Sequence, residues 1–368
     1  MSKHNNKSNS GRTALFVLLA LILVAAVAAF VVYSYIKNYD KPVNAENTKE
    51  IDIVVPSGSS TTSIAKLLEK NGIIANADIF KLKAKLNKLD GKFQAGEYTL
   101  TQAMGMNEIM TQLQNAKRET VRFTIKEGLS LRQIGESLEK QGICTKADFL
   151  KSLEEDDFDF WFVKELTADQ PDPTGQVSAQ ANRLEGFLFP DTYEVYVGSS
   201  ARTVIKKMLA QFDKVFGAEL KAKLAERKMT LKEAMTVASL IEREIVLDSE
   251  RPLCASVIYN RLNGNATGKK LQFCSTILYC LGNPEGKTRV LFKDLETDNP
   301  YNTYKNPGLP PGPICCPGKA CIEAALNPAE TKYLYFVVNS NGKGGHKFSS
   351  NYSDHTAYSE EYLNTINK

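Results

Sequence analysis

This 368-residue chain has three histidines and one tryptophan, and its seven cysteines form no CxxC pair. Structural zinc needs Cys and His clustered at short, regular spacing, so no zinc site is expected. No GxSxG, HExxH or GxxxxGK[ST] motif occurs, and no Cys and His are paired by spacing. Nucleophilic proteolysis, zinc hydrolysis and P-loop chemistry therefore lack their machinery, and neither metal nor cofactor is expected. Net charge is also small, with 46 Lys+Arg against 42 Asp+Glu for a formal +4. Lys3, Lys7 and Arg12 supply +3 of it within an acid-free segment of twelve residues, so the other 356 residues carry about +1. A body so nearly neutral lacks the clustered basic excess of nucleic-acid binders, and nucleic acid is not expected as a partner. Apolar and charged fractions of 43% and 24% exclude wholesale disorder, collagen-like repeats and coiled-coil rods.

What the chain does have begins directly after those cations. Thr13 to Ile36 is an uncharged run of 24 residues. About 20 apolar helical residues cross a hydrocarbon core. A cleaved signal peptide would have a shorter apolar region, of about 7–15 residues, although Ala25 to Ala29 offer small residues for cleavage. The sequence predicts a single transmembrane helix over 13–36 and a cytoplasmic tail over 1–12. The rest of the chain then faces outward, away from the cytoplasm. Cys144, Cys254, Cys274, Cys280, Cys315, Cys316 and Cys321 lie in that outward part, where one or two disulfides or a set of small buried hydrophobes both fit.

Residues 37–50 are polar and read as a linker. From Ile51 the pattern is that of a folded chain: a strand (IDIVV), a turn (PSGSS), and an amphipathic helix with Ile64, Leu67 and Leu68 inward and Gly72 at its end. The unit recurs at an offset of 70, and ten of the 21 positions from 58 to 78 match those from 128 to 148. Such identity marks an internal duplication. Each copy reads strand, turn, helix, Gly stop, second helix, and the first copy continues into a strand and another helix. The units resemble LysM modules, which bind polymers containing N-acetylglucosamine; a small α/β spacer fits the same pattern. We place the first unit at 51–120 and the second, with a hinge, at 121–182. Trp161 lies in the acidic, aromatic hinge and more readily packs there than stacks on a sugar. Residues 183–368 form the third part, and the whole reads as α+β.

Most unusual motifs fall in that third part. Leu184 to Tyr193 (LEGFLFPDTY) is an apolar stretch ending in a turn with Asp191 at its rim. A helical segment over about 201–227 is followed by MTLKEAMTVASLIEREIV. There Thr230 stands at the N-cap, Glu233 at the capping-box position, and Ala234, Val237, Ala238, Ile241 and Ile245 form a stripe at helical spacing. Glu242 and Glu244 flank that stripe on opposite sides. Either carboxyl in an apolar pocket would hold its proton near neutral pH and serve as a proton donor, and spacing does not choose between them. Further on, 248–262 reads as another helix with Arg261 at its end. Gln272 is the second residue of LQFCSTILYCLG. Tyr301, Asn302 and Tyr304 lie in YNTY, before the proline-rich GLPPGPICCPG. Aromatic rings and amides in a rigid loop suit sugar recognition, and a proline-braced turn is the plain alternative. KYLYFVV reads as a buried strand leading to a Gly-rich turn and a polar strand with His346; His355 follows nine residues later.

The motifs EGFLFPDTY, ASLIERE, SER, NRL, YNTY, GLPPGPI, NPA, YLYFV and GGHxF occur in that order from 185 to 348. In this the chain resembles the YceG-like family over about residues 50–368. The resemblance implies a membrane-anchored lytic transglycosylase. It would cut the β-1,4 bond between N-acetylmuramic acid and N-acetylglucosamine within nascent peptidoglycan strands and leave a 1,6-anhydro end. It assigns the catalytic role to the first Glu of the ASLIERE motif, Glu242. It leaves Asp191, Arg261, Gln272, Tyr301, Asn302, Tyr304, His346 and His355 as candidate glycan contacts, and peptidoglycan, the membrane and peptidoglycan synthases as candidate partners. A non-catalytic scaffold of the wall-synthesis complex is the second reading. The chain departs from the family pattern at Phe273-Cys274-Ser275, where Ser/Thr-Asp-Pro is usual, at Cys316 in place of Asn, and at Thr356 in place of Asn.

Overall fold

The duplication in sequence is a duplication in structure. The computed structural model describes residues 17–24, 26, 27, 30, 34, 40–56, 58–115, 120–155, 157–284, 287, 289–339 and 344–366, and they divide into two units, Met1–Glu119 and Thr120–Lys368. In the first unit, β1 (Glu50–Val55) is followed by α1 (Thr61–Lys70), α2 (Ala77–Leu86) and β2 (Gly96–Thr101). The two strands pair antiparallel from Glu50↔Thr101 to Val55↔Gly96. Alternation puts Ile53, Val55, Tyr98 and Leu100 on one buried face against Ile64, Leu68 and Phe80. Ser60 caps α1, its hydroxyl accepting the Ser63 N–H at 3.2 Å. α3 (Met106–Gln114) adds Met106, Ile109, Met110 and Leu113 to this core.

The second unit opens with the same plan: β3 (Thr120–Thr124), α4 (Leu131–Lys140) and α5 (Lys146–Glu155). Its closing strand comes later. After α6 (Ala179–Asn182), β4 (Thr192–Tyr196) pairs antiparallel with β3, from Thr120↔Tyr196 to Thr124↔Thr192. The second copy borrows its last strand from beyond residue 182, and its Phe123, Leu131, Ile134 and Leu138 share one continuous core with residues as distant as Leu326. Trp161 packs as expected, with Phe162 and Phe216 beside its ring and Nε1 donating to Asp213 at 2.6 Å.

The helix expected over 201–227 is two helices, α7 (Ala201–Val215) and α8 (Ala218–Glu226), broken at Phe216-Gly217, where Gly217 becomes the N-cap of the second. Next comes α9 (Leu231–Glu244). Its capping box is complete: Thr230 Oγ1 accepts the Glu233 N–H at 3.2 Å and Glu233 Oε2 accepts the Thr230 N–H at 2.8 Å. The whole predicted stripe is buried, each large aliphatic member contributing about 1.5–3 kcal/mol. α9 stops where Ile245 turns extended (φ −120°), so Glu244 is its last helical residue. Then follow α10 (Arg251–Asn263), α11 (Cys274–Cys280), α12 (Lys319–Leu326), the hairpin of β5 (Tyr335–Val338) and β6 (His346–Ser349), and α13 (Tyr352–Ile366). α12 and α10 pack on α9.

KYLYFVV is not a buried strand. Only Tyr335–Val338 is extended, and it is partly exposed because it belongs to a two-stranded ribbon. All seven cysteines are free thiols, and five of them (Cys254, Cys280, Cys315, Cys316 and Cys321) are buried as small hydrophobes. Among the described residues no helix is long and apolar enough to cross a membrane. The expected span over 13–36 and the tail over 1–12 lie largely outside the described residues. The parts of the span that are described, such as 17–24, are helical with exposed apolar side chains.

Candidate functional site

The last turn of α9 carries two carboxylates pointing to different neighbours. Two residues of helix turn a side chain through about 200°. Glu242 meets the N-terminal end of α12: its Oε2 accepts the N–H of Gly318, the N-cap of that helix, at 2.9 Å. Glu127, from the turn before α4, is the second acid there. Burial first, and then the charge of Glu242, raise its carboxyl above the usual range. That turn is strapped down by paired backbone bonds, Gly128 N–H to the Cys316 carbonyl at 2.9 Å and Cys316 N–H to the Leu129 carbonyl at 2.8 Å. The second copy of the duplicated unit thus forms one wall beside Glu242.

Glu244 faces a different set of groups. Its Oε1 accepts the Ser275 N–H at 3.3 Å, at the start of α11. Burial raises its carboxyl above the usual range, while the Ser275 bonds and the nearby His346 and Arg243 pull the other way. Cys274, Arg261, Tyr304 and Cys254 all lie within the electrostatic reach of this carboxyl. Cys274 Sγ and Tyr304 Oη are 3.1 Å apart, and burial raises both groups. Both stay protonated, and one donates its hydrogen to the other.

The turn that delivers Ser275 is built on Thr303. Thr303 accepts the Gln272 N–H on its carbonyl at 3.1 Å and the Phe273 N–H on its hydroxyl at 3.0 Å. Gln272 takes the left-handed conformation (φ 55°) with its side chain exposed, a strained state for a residue with a Cβ that its surroundings must hold. Gly186 (φ 89°) ties the EGFLFPDTY segment to the proline-rich loop. A Cβ there would stand 2.5 Å from Pro313 Cβ, so only glycine allows the approach.

The expected contacts therefore sort into groups. Tyr304 and His346 come together around Glu244. Arg261 is buried beneath them: it donates to the carbonyl of Leu334 at 2.6 Å and to that of Leu271, and it lies 5.2 Å from the Tyr335 ring. It holds two backbone segments together with donors a glycan contact would need. His355 stacks on Tyr335 at 5.1 Å, and burial, then the Arg261 charge, lower its pKa. Tyr301 and Asn302 are fully buried. Asn302 donates to the carbonyls of Leu295 and Thr297 at 2.9 and 2.8 Å and accepts the Tyr304 N–H at 3.0 Å. Tyr301 packs edge-on against Tyr279 at 5.0 Å. Both brace the loop from within. Asp191 is exposed but occupied, its carboxylate accepting the Thr192 N–H and the Gln211 amide, each at 2.7 Å. Sequence reasoning did not single out Glu127, Ser275 or Glu250 by role. Glu250 and Ser275 did lie inside quoted motifs, which was the available signal.

The model of the YceG-like family matches residues 53–361. An endolytic murein transglycosylase of Bacillus subtilis (strain 168) is 35% identical over 341 residues, covering 91% of this chain and 91% of the relative. One from Streptococcus pneumoniae serotype 2 (strain D39 / NCTC 7466) is 30% identical over 370 residues; the match takes in 95% of this chain and 65% of that longer protein. Among solved structures, a yceG-like protein from Listeria monocytogenes superposes with a TM-score of 0.54 at 36% identity, over 84% of this chain and 99% of the other.

Proposed function

This chain belongs to the YceG-like family, and from that premise we propose that it is an endolytic peptidoglycan lytic transglycosylase with Glu244 as its acid and base. The bond cut is the β-1,4 link between N-acetylmuramic acid and N-acetylglucosamine. Protonated Glu244 gives its proton to the glycosidic oxygen, which leaves as the 4-hydroxyl of N-acetylglucosamine. The muramyl C6 hydroxyl attacks its own anomeric carbon, closing the C1–O6 bond as the C1–O4 bond breaks. Its proton passes to the Glu244 carboxylate, which is thereby restored. No water is consumed, and one carboxyl suffices where a hydrolase needs two. The intramolecular nucleophile replaces a bound water by proximity.

The observation that carries the reading is the environment of Glu244. Burial favours the protonated acid, while the Ser275 N–H is in place to receive the carboxylate. Glu242, the position expected from the motif order, has an oxygen committed to the Gly318 N–H, which suits a structural cap. A carboxyl that burial keeps protonated also favours an enzyme over a non-catalytic scaffold. The test is mass spectrometry of glycan ends after incubation with peptidoglycan. Anhydro-muramyl ends support the reading, reducing ends would make the chain a hydrolase, and no new ends would leave it a scaffold.

The finer placement follows from the sequence. A single helix over 13–36 anchors the chain in the cytoplasmic membrane with Lys3, Lys7 and Arg12 inside and the catalytic part outside, beside the synthases that extrude new strands. The β-α-α-β order of both copies supports reading them as LysM-like. The first copy keeps an open groove lined by Thr62, Lys81, Leu82 and Lys85 in which a glycan can lie.

A further inference from the structure

Glu250 and His346 are 96 residues apart in sequence and share two hydrogen bonds. Glu250 ends the one-turn helix Asp248–Glu250 ahead of α10, and His346 begins β6. Glu250 Oε1 accepts the His346 backbone N–H at 2.9 Å, and Oε2 lies 2.8 Å from His346 Nδ1. Both side chains are mostly buried, at 14% and 7% exposure. A carboxylate only accepts, so this bond assigns the proton to Nδ1 and leaves Nε2 as the ring's working nitrogen.

The surroundings hold that pair in place. Gly345 lets the strand approach, since a Cβ there would stand 3.0 Å from Glu250 Oε1 and 3.4 Å from Leu247 Cδ1. Phe336 stands edge-on to the imidazole at 5.5 Å and 86°. Phe336 also meets Phe273 at 5.7 Å, and two residues on is Ser275, whose N–H binds Glu244. His346 acts on Glu244 electrostatically as well.

We infer that Glu250 is a positioning residue for the reaction: it locks His346 in one tautomer and orientation, and through that imidazole it governs the proton on Glu244. The inference rests on the reading of Glu244 as the acid. The other groups facing Glu244 are Arg243 on its own helix, Arg261 and Cys254 from α10, Cys274 from α11 and Tyr304 from the loop. Burial keeps the thiols and the phenol neutral. Held by Glu250, the imidazole acts on Glu244 from one fixed orientation.

The test uses the full-length chain in detergent with isolated glycan strands, measuring kcat and KM from about pH 5 to 9. His346→Gln removes the ring that Glu250 holds in place, so kcat falls with KM nearly unchanged. Glu250→Gln lowers kcat by about 10–100-fold, as loss of a histidine's outer partner does, with KM nearly unchanged. The double variant is no slower than His346→Gln alone, because both changes act through one ring. A Glu250→Gln enzyme with wild-type kcat and pH profile would overturn the inference, as would a double variant whose loss is the product of the two single losses. ¹⁵N-histidine NMR of the wild type, which has three histidines to resolve, tests it without any substitution. Nδ1 protonated and Nε2 free at neutral to alkaline pH is expected at His346, and the opposite tautomer refutes the inference. Glu244→Gln in the same assay separates the two claims. If that variant stays active, the reading of the acid fails; if it is dead while Glu250→Gln is normal, only the role of Glu250 fails.

Discussion

Glu185→Gln should remove most of the pH dependence of this protein's stability. Glu185 is 2% exposed. Its two oxygens accept the Leu131 N–H at 3.2 and 3.1 Å, and Oε2 accepts from Tyr279 Oη at 3.3 Å. Burial dominates those bonds and pushes the carboxyl from 4.5 to about 8, with the Asp172 charge adding to the rise. The folded state therefore keeps a proton that the unfolded chain gives up. Stability from that proton is complete below the unfolded value and is lost as pH rises through the folded one. The interval of about 3.5 pH units corresponds to roughly 4–5 kcal/mol. For a unit of this size that is on the order of 10–15 °C in melting temperature. The amide of Gln keeps an acceptor for Leu131 and has no proton to lose. Thermal melts followed by circular dichroism, from about pH 5 to 8.5, should show the wild type falling steeply while the variant stays nearly level. Parallel curves would refute the reasoning, because the titrating group would then lie elsewhere.

Removal of residues 1–36 should release the chain from membranes into the soluble fraction with activity on isolated strands retained; a truncated chain that still sediments with membranes would place the anchor elsewhere. Lys85→Glu, in the groove of the first unit, should weaken sedimentation of the full chain with insoluble peptidoglycan by about tenfold or less, the scale of one lost polar contact. Unchanged sedimentation would make that unit a spacer.

How much of this could be seen in the sequence depends on the distance over which the information acts. The capping box at Thr230 and Glu233 and the stripe from Ala234 to Ile245 are local, and the chain folds as they predict. The duplication was legible because ten matched positions keep one offset. The closing strand of the second copy was not, because β4 pairs with β3 across a long insertion and alternation alone names no partner. Asn302 and Tyr301 read as sugar contacts because amides and aromatics serve that purpose at a surface. Their burial follows from the loop folding inward over Leu295 and Tyr279. The choice between Glu242 and Glu244 is of the same kind. Their neighbours, Gly318 for one and Ser275 and His346 for the other, come from segments more than thirty residues away.

The central claim is that Glu244 carries the proton in a reaction that uses no water. The direct measurement is the yield of 1,6-anhydro-muramyl ends from peptidoglycan by the wild type, Glu244→Gln and Glu242→Gln, each checked for an intact fold by its melting curve. Anhydro ends are expected from the wild type, with a loss of about 100-fold or more in Glu244→Gln, the scale of a removed general acid. Glu242→Gln should keep a substantial share of the activity. Anhydro ends persisting in Glu244→Gln and vanishing in a folded Glu242→Gln would contradict it and return the reaction to the other face of the helix.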